Sequence, residues 1–384
     1  MTRSFHPTVV HRLLLMAPAA WLPACSSQDA PPAHDNGASV ATGSVGGAGG
    51  VGSVGGAGGA GGDEAGGSSP GGGGTGGEGG APCVDDIALP LETAAPPKLS
   101  GTGLYADIAS DTVAAYVRPF EPQFPLWSDG ATKRRFAYLP KCAQVDTADM
   151  DHWQIPVGAR FWKEFTRDGV RVETRLIHRY GPGADDWLFA AYQWDETNQE
   201  ASYVPSGVPD ANGTTHDIPS ATQCATCHTK LPERILGFGA IQLSHAGRGE
   251  TMATLSDAGL LTVPNAAGFV VPGTTAERAA LGYLHANCGT CHNATGITFI
   301  DMRLRLSVND ASVDETDAFT TAVGKPTTVF QCGGCDRIHP SDAAASAVVI
   351  RMSNRGSSAQ MPPLATEVVD EAGMSTVSAW IDAL

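Results

Sequence analysis

The sequence predicts an α+β protein of more than one domain, in which an N-terminal antiparallel β-rich domain precedes an α-helical region. Three observations predict it. Residues 159–194 alternate as strands around an Asp-Gly turn, and residues 274–287 and 375–384 carry helix signals. Of the 47 glycines, 23 lie between Gly37 and Gly80, so the globular part starts near Pro82. With 384 residues, 42% apolar and 17% charged, the chain has material for two modest cores, which excludes full-length disorder. From Cys83 to Leu384, 22 Lys and Arg stand against 35 Asp and Glu, a net charge of −13. That balance argues against nucleic acid as a partner and suits a basic protein or a small molecule.

Arg3 and Arg12 precede the apolar run Leu13 to Ala17, and Ala19, Ala20 and Ala24 follow, which is the layout of a secretory signal over residues 1–24. The run is too short to span a bilayer. Leu22-Pro23-Ala24-Cys25 resembles the lipobox of bacterial lipoproteins, where cleavage leaves the Cys25 thiol to carry a diacylglycerol. Pro23 departs from the usual pattern, and the alternative is an ordinary signal peptide with a chance cysteine. Ser26 stands where an inner-membrane retention signal favours Asp, so the resemblance implies an exported chain lipid-anchored to the outer membrane, facing periplasm or cell surface. Residues 25–82 hold this N-terminus and a tether, whose Gly, Ala, Ser and Val repeats cannot bury enough surface to fold. As a glycine-rich coil of about 46 residues, the tether reaches on the order of 35 to 40 Å.

Residues 83–220 read as the β-rich domain. Arg160 to Thr166 and Val170 to Leu176 flank Arg167-Asp168-Gly169 as a hairpin, and Trp187 to Trp194 is apolar on both faces, as in a central strand of a small sandwich. The segment Pro119 to Gly130 is too rich in proline for regular structure. Lys133-Arg134-Arg135 reads as a solvated strand end, with a docking patch as the alternative. Trp127 and Asp129 read as structural, and no nucleophile, base and oxyanion site assemble in this half.

Gln223-Cys224-Ala225-Thr226-Cys227-His228 and Asn287-Cys288-Gly289-Thr290-Cys291-His292 are two c-type haem attachment sequences. Two thiols three residues apart on one helical turn add to the haem vinyl groups, and the following histidine reaches the iron. Random placement of nine cysteines and eleven histidines predicts about 0.006 such motifs, so two are hard to ascribe to chance. Zinc held by four thiolates is the rival, as are disulfides within each pair, but neither explains both histidines. The two haems take His228 and His292 as proximal ligands.

The second haem unit covers about 274–384. Thr274-Thr275-Ala276-Glu277 forms a capping box, and Ala279, Ala280, Leu281 and Leu284 continue a helix into Cys288. Ser375 to Leu384 reads as a terminal amphipathic helix. Between them, Met361-Pro362-Pro363 restricts the backbone, which makes Met361 the expected distal ligand, with Met302, Met352 and Met374 as alternatives. For the first haem the expected distal ligand is His245, with Met252 and His216 as alternatives.

Residues 222–384 look like the secreted bacterial diheme c-type cytochrome family, which has paired attachment sites and a terminal Met-Pro-Pro. The matching pieces are the two attachment sequences, Leu236 to Leu243, Leu281 to His292, and Arg351-Met352 ahead of Met361-Pro362-Pro363. Phe124 to Gly130 and the strands after it are similar to the family's upstream region. The resemblance implies electron transfer and names no partner; with it, a cytochrome c-like helical region is expected over 221–384 and a redox partner protein as the other party. It implies a carrier more than a catalyst, and assigns no catalytic residue. Cys332-Gly333-Gly334-Cys335 is an addition to the pattern and reads as a loop disulfide, with a redox role as the lesser option. An iron without a distal side chain would make a diheme peroxidase-type enzyme, and a haem-free binding module with disulfides is the third class.

Overall fold

The computed structural model describes residues 83–384 except Ala365. The expected signal, the Cys25 anchor and the tether lie outside the described residues. A two-stranded antiparallel ribbon comes first, β1 (Tyr105–Asp107) with β2 (Thr112–Val113). Then β3 (Arg118–Pro119), β4 (Thr132–Tyr138), β5 (Arg160–Arg167), β6 (Val170–Arg179), β7 (Trp187–Trp194) and β8 (Ala201–Tyr203) form one antiparallel meander in chain order. The β5–β6 turn places Asp168 at φ 51° and Gly169 at φ 81°, the left-handed pair that the Asp-Gly signal requires.

The sheet is apolar on both sides, but no second large sheet covers it among the described residues. Alternation puts Phe136, Trp162, Leu176 and Trp194 on one face, where Leu99, Leu104 and Tyr105 cover them. The other face carries Ala137, Phe161 and Ile177, packed with Ile235, Phe238, Leu243 and Leu255 from beyond residue 220. The expected sandwich is therefore replaced by coil on one side and short helices on the other. An apolar strand reports burial of both faces and not the kind of element that buries them.

The helices are α1 (Ala221–His228), α2 (Ala240–Leu243), α3 (Met252–Asp257), α4 (Thr275–Asn287), α5 (Asp317–Ala322), α6 (Ala347–Ser353) and α7 (Glu371–Asp382). The expected capping box at α4 is present, with Thr274 and Glu277 satisfying each other's backbone amides. Helices α4 and α7 pack through Leu281, Leu284, Val377, Trp380 and Ile381. Their approach is close because Gly373 has no side chain: a Cβ there would sit 2.1 Å from Cε2 of Tyr283. Among the described residues no helix is long and apolar enough to cross a membrane.

The proline-rich segment 119–130 ties sheet to helices. Gln123 N and Phe124 N donate to Gln242, Phe124 packs where Gly282 leaves room, and Asp129 Oδ1 accepts from Glu367 N and Val368 N, both at 2.9 Å. Of Lys133-Arg134-Arg135 only Arg134 is exposed. Lys133 Nζ donates to Leu126 O at 2.8 Å, Arg134 pairs with Asp111 and Glu164, and Arg135 is buried.

Candidate functional site

Ser220 caps α1 by accepting from Gln223 N, while Gln223 Oε1 accepts from Ser220 N at 2.9 Å. The helix then runs the length of the first attachment sequence, so Cys224 and Cys227 lie one turn apart with Cys224 buried. His228 ends the helix. Its Nδ1 lies 2.6 Å from the Arg234 carbonyl oxygen, and the Phe189 ring of β7 lies 5.5 Å away, centroid to centroid. An imidazole that donates Nδ1–H to a carbonyl keeps the Nε2 lone pair for a metal. Burial pushes His228 down to about 3, so the ring is neutral.

The second sequence repeats the arrangement on different elements. Cys288 closes α4, Cys291 N and His292 N donate to Cys288 O at 3.0 and 2.8 Å, and His292 Nδ1 lies 3.2 Å from Met302 O. Burial lowers the His292 pKa as well. The carbonyls of Arg234 and Met302 had no sequence signal, because every residue carries one.

All four cysteines of the two sequences are free. The other four described cysteines are paired. Cys332–Cys335 is the expected loop disulfide, and Cys83–Cys142 joins residues 59 apart that no spacing rule had linked. The Cys227 and Cys291 thiols, one from each sequence, act on each other's titration, which lowers Cys227 and raises Cys291. Burial pushes Cys288 up to about 12.

A cavity of about 410 Å³ lies between these elements and the sheet, within the size range of small-molecule sites. Cys224, Cys227 and His228 line it, with Cys291 from the second sequence and Pro362 and Pro363 from the Met-Pro-Pro loop. Phe161, Ile177 and Phe189 make its sheet wall apolar.

Met361 is half-buried and its amide donates to Arg351 O at 3.1 Å. The Arg351 guanidinium donates to Ala359 O at 3.0 Å, so Arg351 braces the loop that carries Met361. Met302, Met352 and Met374 belong to the apolar core around α4 and α7, and Met361 does not.

The expectation for His245 needs correction. Its Nε2 faces Glu121 O at 2.7 Å and its Nδ1 accepts from Gly247 N at 2.8 Å, so both nitrogens are taken by backbone. Its two alternatives are also committed elsewhere. Met252 is core, and His216 Nε2 pairs with Glu173 at 2.9 Å. None of the three lines the cavity around His228.

Among the described residues no three His, Cys, Asp or Glu side chains gather as ligands of a metal ion. A haem iron takes four ligands from its macrocycle and needs only axial ones from the chain, a demand that His228 and His292 fit. No protein-family model, curated protein or solved structure matches the chain.

Proposed function

We propose that this protein is an exported c-type cytochrome that holds two covalently attached haems and carries single electrons between partner proteins, anchored to a membrane through Cys25. The observation that carries the reading is the repeated histidine arrangement. Two unrelated stretches of chain each place a Cys-x-x-Cys pair of free thiols ahead of a neutral imidazole whose Nδ1 faces a backbone carbonyl. Haem, when bound, would supply one-electron exchange at its iron. Cys224, Cys227, Cys288 and Cys291 would hold the haems through thioethers, and His228 and His292 would present Nε2.

Met361, on a loop braced by Arg351, would offer a thioether, a donor that would raise the potential of the second haem. Cys227 and Cys291 line one cavity, which brings one attachment point of each haem together and supports a short relay. We read α4 and α7 as the packed pair of a cytochrome c-like unit over about 274–384. The net charge of −13 over Cys83 to Leu384 suits a basic redox partner.

The mass of the denatured protein tests this directly. Two haems above the polypeptide are expected, and one in Cys288→Ala. A colourless chain with stoichiometric zinc would overturn the reading. Met361→Ala should abolish a near-infrared sulfur-to-iron band and lower one potential, and Cys25→Ser should release the protein from membranes with both haems attached. Rapid peroxide consumption lost in His228 variants would instead favour a diheme peroxidase-type enzyme.

A further inference from the structure

Three adjacent strands bring three cations to one row of the sheet. Arg135 of β4 stands opposite Lys163 of β5, and Lys163 stands opposite Arg175 of β6, so all three side chains leave the same face. Like charges directly opposite one another destabilise a sheet, so the row asks for a reason. Arg175 has one, because its Nε and Nη2 donate to Glu173 at 2.6 and 2.9 Å. Lys163 has none, since no hydrogen bond or ion pair engages its Nζ among the described residues.

Lys163 and Arg175 line the cavity that holds Cys224, Cys227 and His228. Besides His228, that cavity is lined by no other histidine and no methionine among the described residues. We propose that Lys163 Nζ is the distal ligand of the haem attached at Cys224 and Cys227, an inference that rests on the haem reading above. The guanidinium groups in register on either side offer Nζ no acceptor to donate to, so an electron-accepting centre in the cavity is the partner left to it. Formation of the bond transfers no electron: the amine lone pair enters an iron orbital, and the proton of any ammonium form goes to bulk water. The row of like charges thus has a use, and the apolar wall of Phe161 and Phe189 keeps water from competing for the position.

Electron paramagnetic resonance of the oxidised protein and carbon monoxide binding by the reduced protein decide the matter, in the full chain with both haems attached. The wild type should show both haems six-coordinate and low-spin. Lys163→Ala should turn one haem high-spin and open it to carbon monoxide. Lys163→Arg, which keeps charge but cannot ligate, should do the same, whereas Lys163→Met should restore the low-spin state, add a second sulfur-to-iron band and raise that potential. Covalent content of two haems per chain confirms that each variant folds.

Low-spin, closed haems in both Lys163→Ala and Lys163→Arg would overturn the assignment. Wild-type behaviour in Lys163→Arg alone would overturn it too, and would mark the row as a site for a carboxylate. Failure of the underlying reading looks different, since the haem mass at Cys224 and Cys227 would be missing before any spin state is measured, and the ligand assignment would fall with it.

Discussion

The Trp127 amide donates a 2.7 Å hydrogen bond to Oδ1 of Asn287, the residue that ends α4 immediately before Cys288. Asn287 is buried and uses its Nδ2 on Tyr283 O at 3.0 Å, so one side chain joins the proline-rich segment, the helix end and the start of the second attachment sequence. The Trp127 indole then donates to Val368 O at 3.2 Å, close to where Asp129 holds the same stretch. The segment 119–130 is thus the link through which the sheet positions both sides of the second site.

Asn287→Ala leaves the Trp127 amide without its acceptor in a partly buried place. It should cost about 1–3 kcal/mol, read as a lower urea midpoint at unchanged slope. Equal midpoints for wild type and variant would show that this bond does not hold the link.

Gly373→Ala places a methyl group 2.1 Å from the Tyr283 ring, so α4 and α7 must separate or the ring must leave. Overpacking of this kind costs about 1–3 kcal/mol. Combined with Tyr283→Val, the change should cost clearly less than the sum of the two single variants, and strict additivity in that cycle would count against the crossing described above.

Replacing both Cys83 and Cys142 by serine removes a link across 59 residues. On chain-entropy grounds this lowers stability by about 4 kcal/mol. The mass should still show two haems, because neither cysteine touches the attachment sequences. Loss of haem in the double variant would mean that this link must form before attachment proceeds.

Acid should destabilise the protein through two histidines outside the attachment sequences. Burial pushes His178 down to about 4 and His285 down to about 3, against an ordinary value near 6.5. Between those values the unfolded chain binds protons that the folded chain refuses. Their contribution is therefore complete above pH about 6.5 and is lost as pH falls toward 4 and 3, with a slope of at most about 1.4 kcal/mol per pH unit for each. Denaturant midpoints at pH 7, 5.5 and 4.5 should decline, and His178→Leu should flatten part of the decline. A profile level from pH 7 to 4.5 would contradict this.

The sequence by itself determined the features whose physics is local. An Asp-Gly pair has the left-handed freedom that a two-residue hairpin needs, so Asp168 and Gly169 marked β5 and β6 before any contact was known. Thr274 and Glu277 cap α4 through their own backbone, and the Cys-x-x-Cys spacing sets Cys224 and Cys227 one turn apart on α1. Only the tertiary structure decided what depends on which distant groups meet. Spacing along the chain placed His245 within reach of the first site, yet its ring nitrogens are taken by Glu121 and Gly247. The carbonyls that orient His228 and His292 could have come from any residue. The row of Arg135, Lys163 and Arg175 exists only through strand register, which sets three lone cations side by side and is invisible when each is read in its own strand.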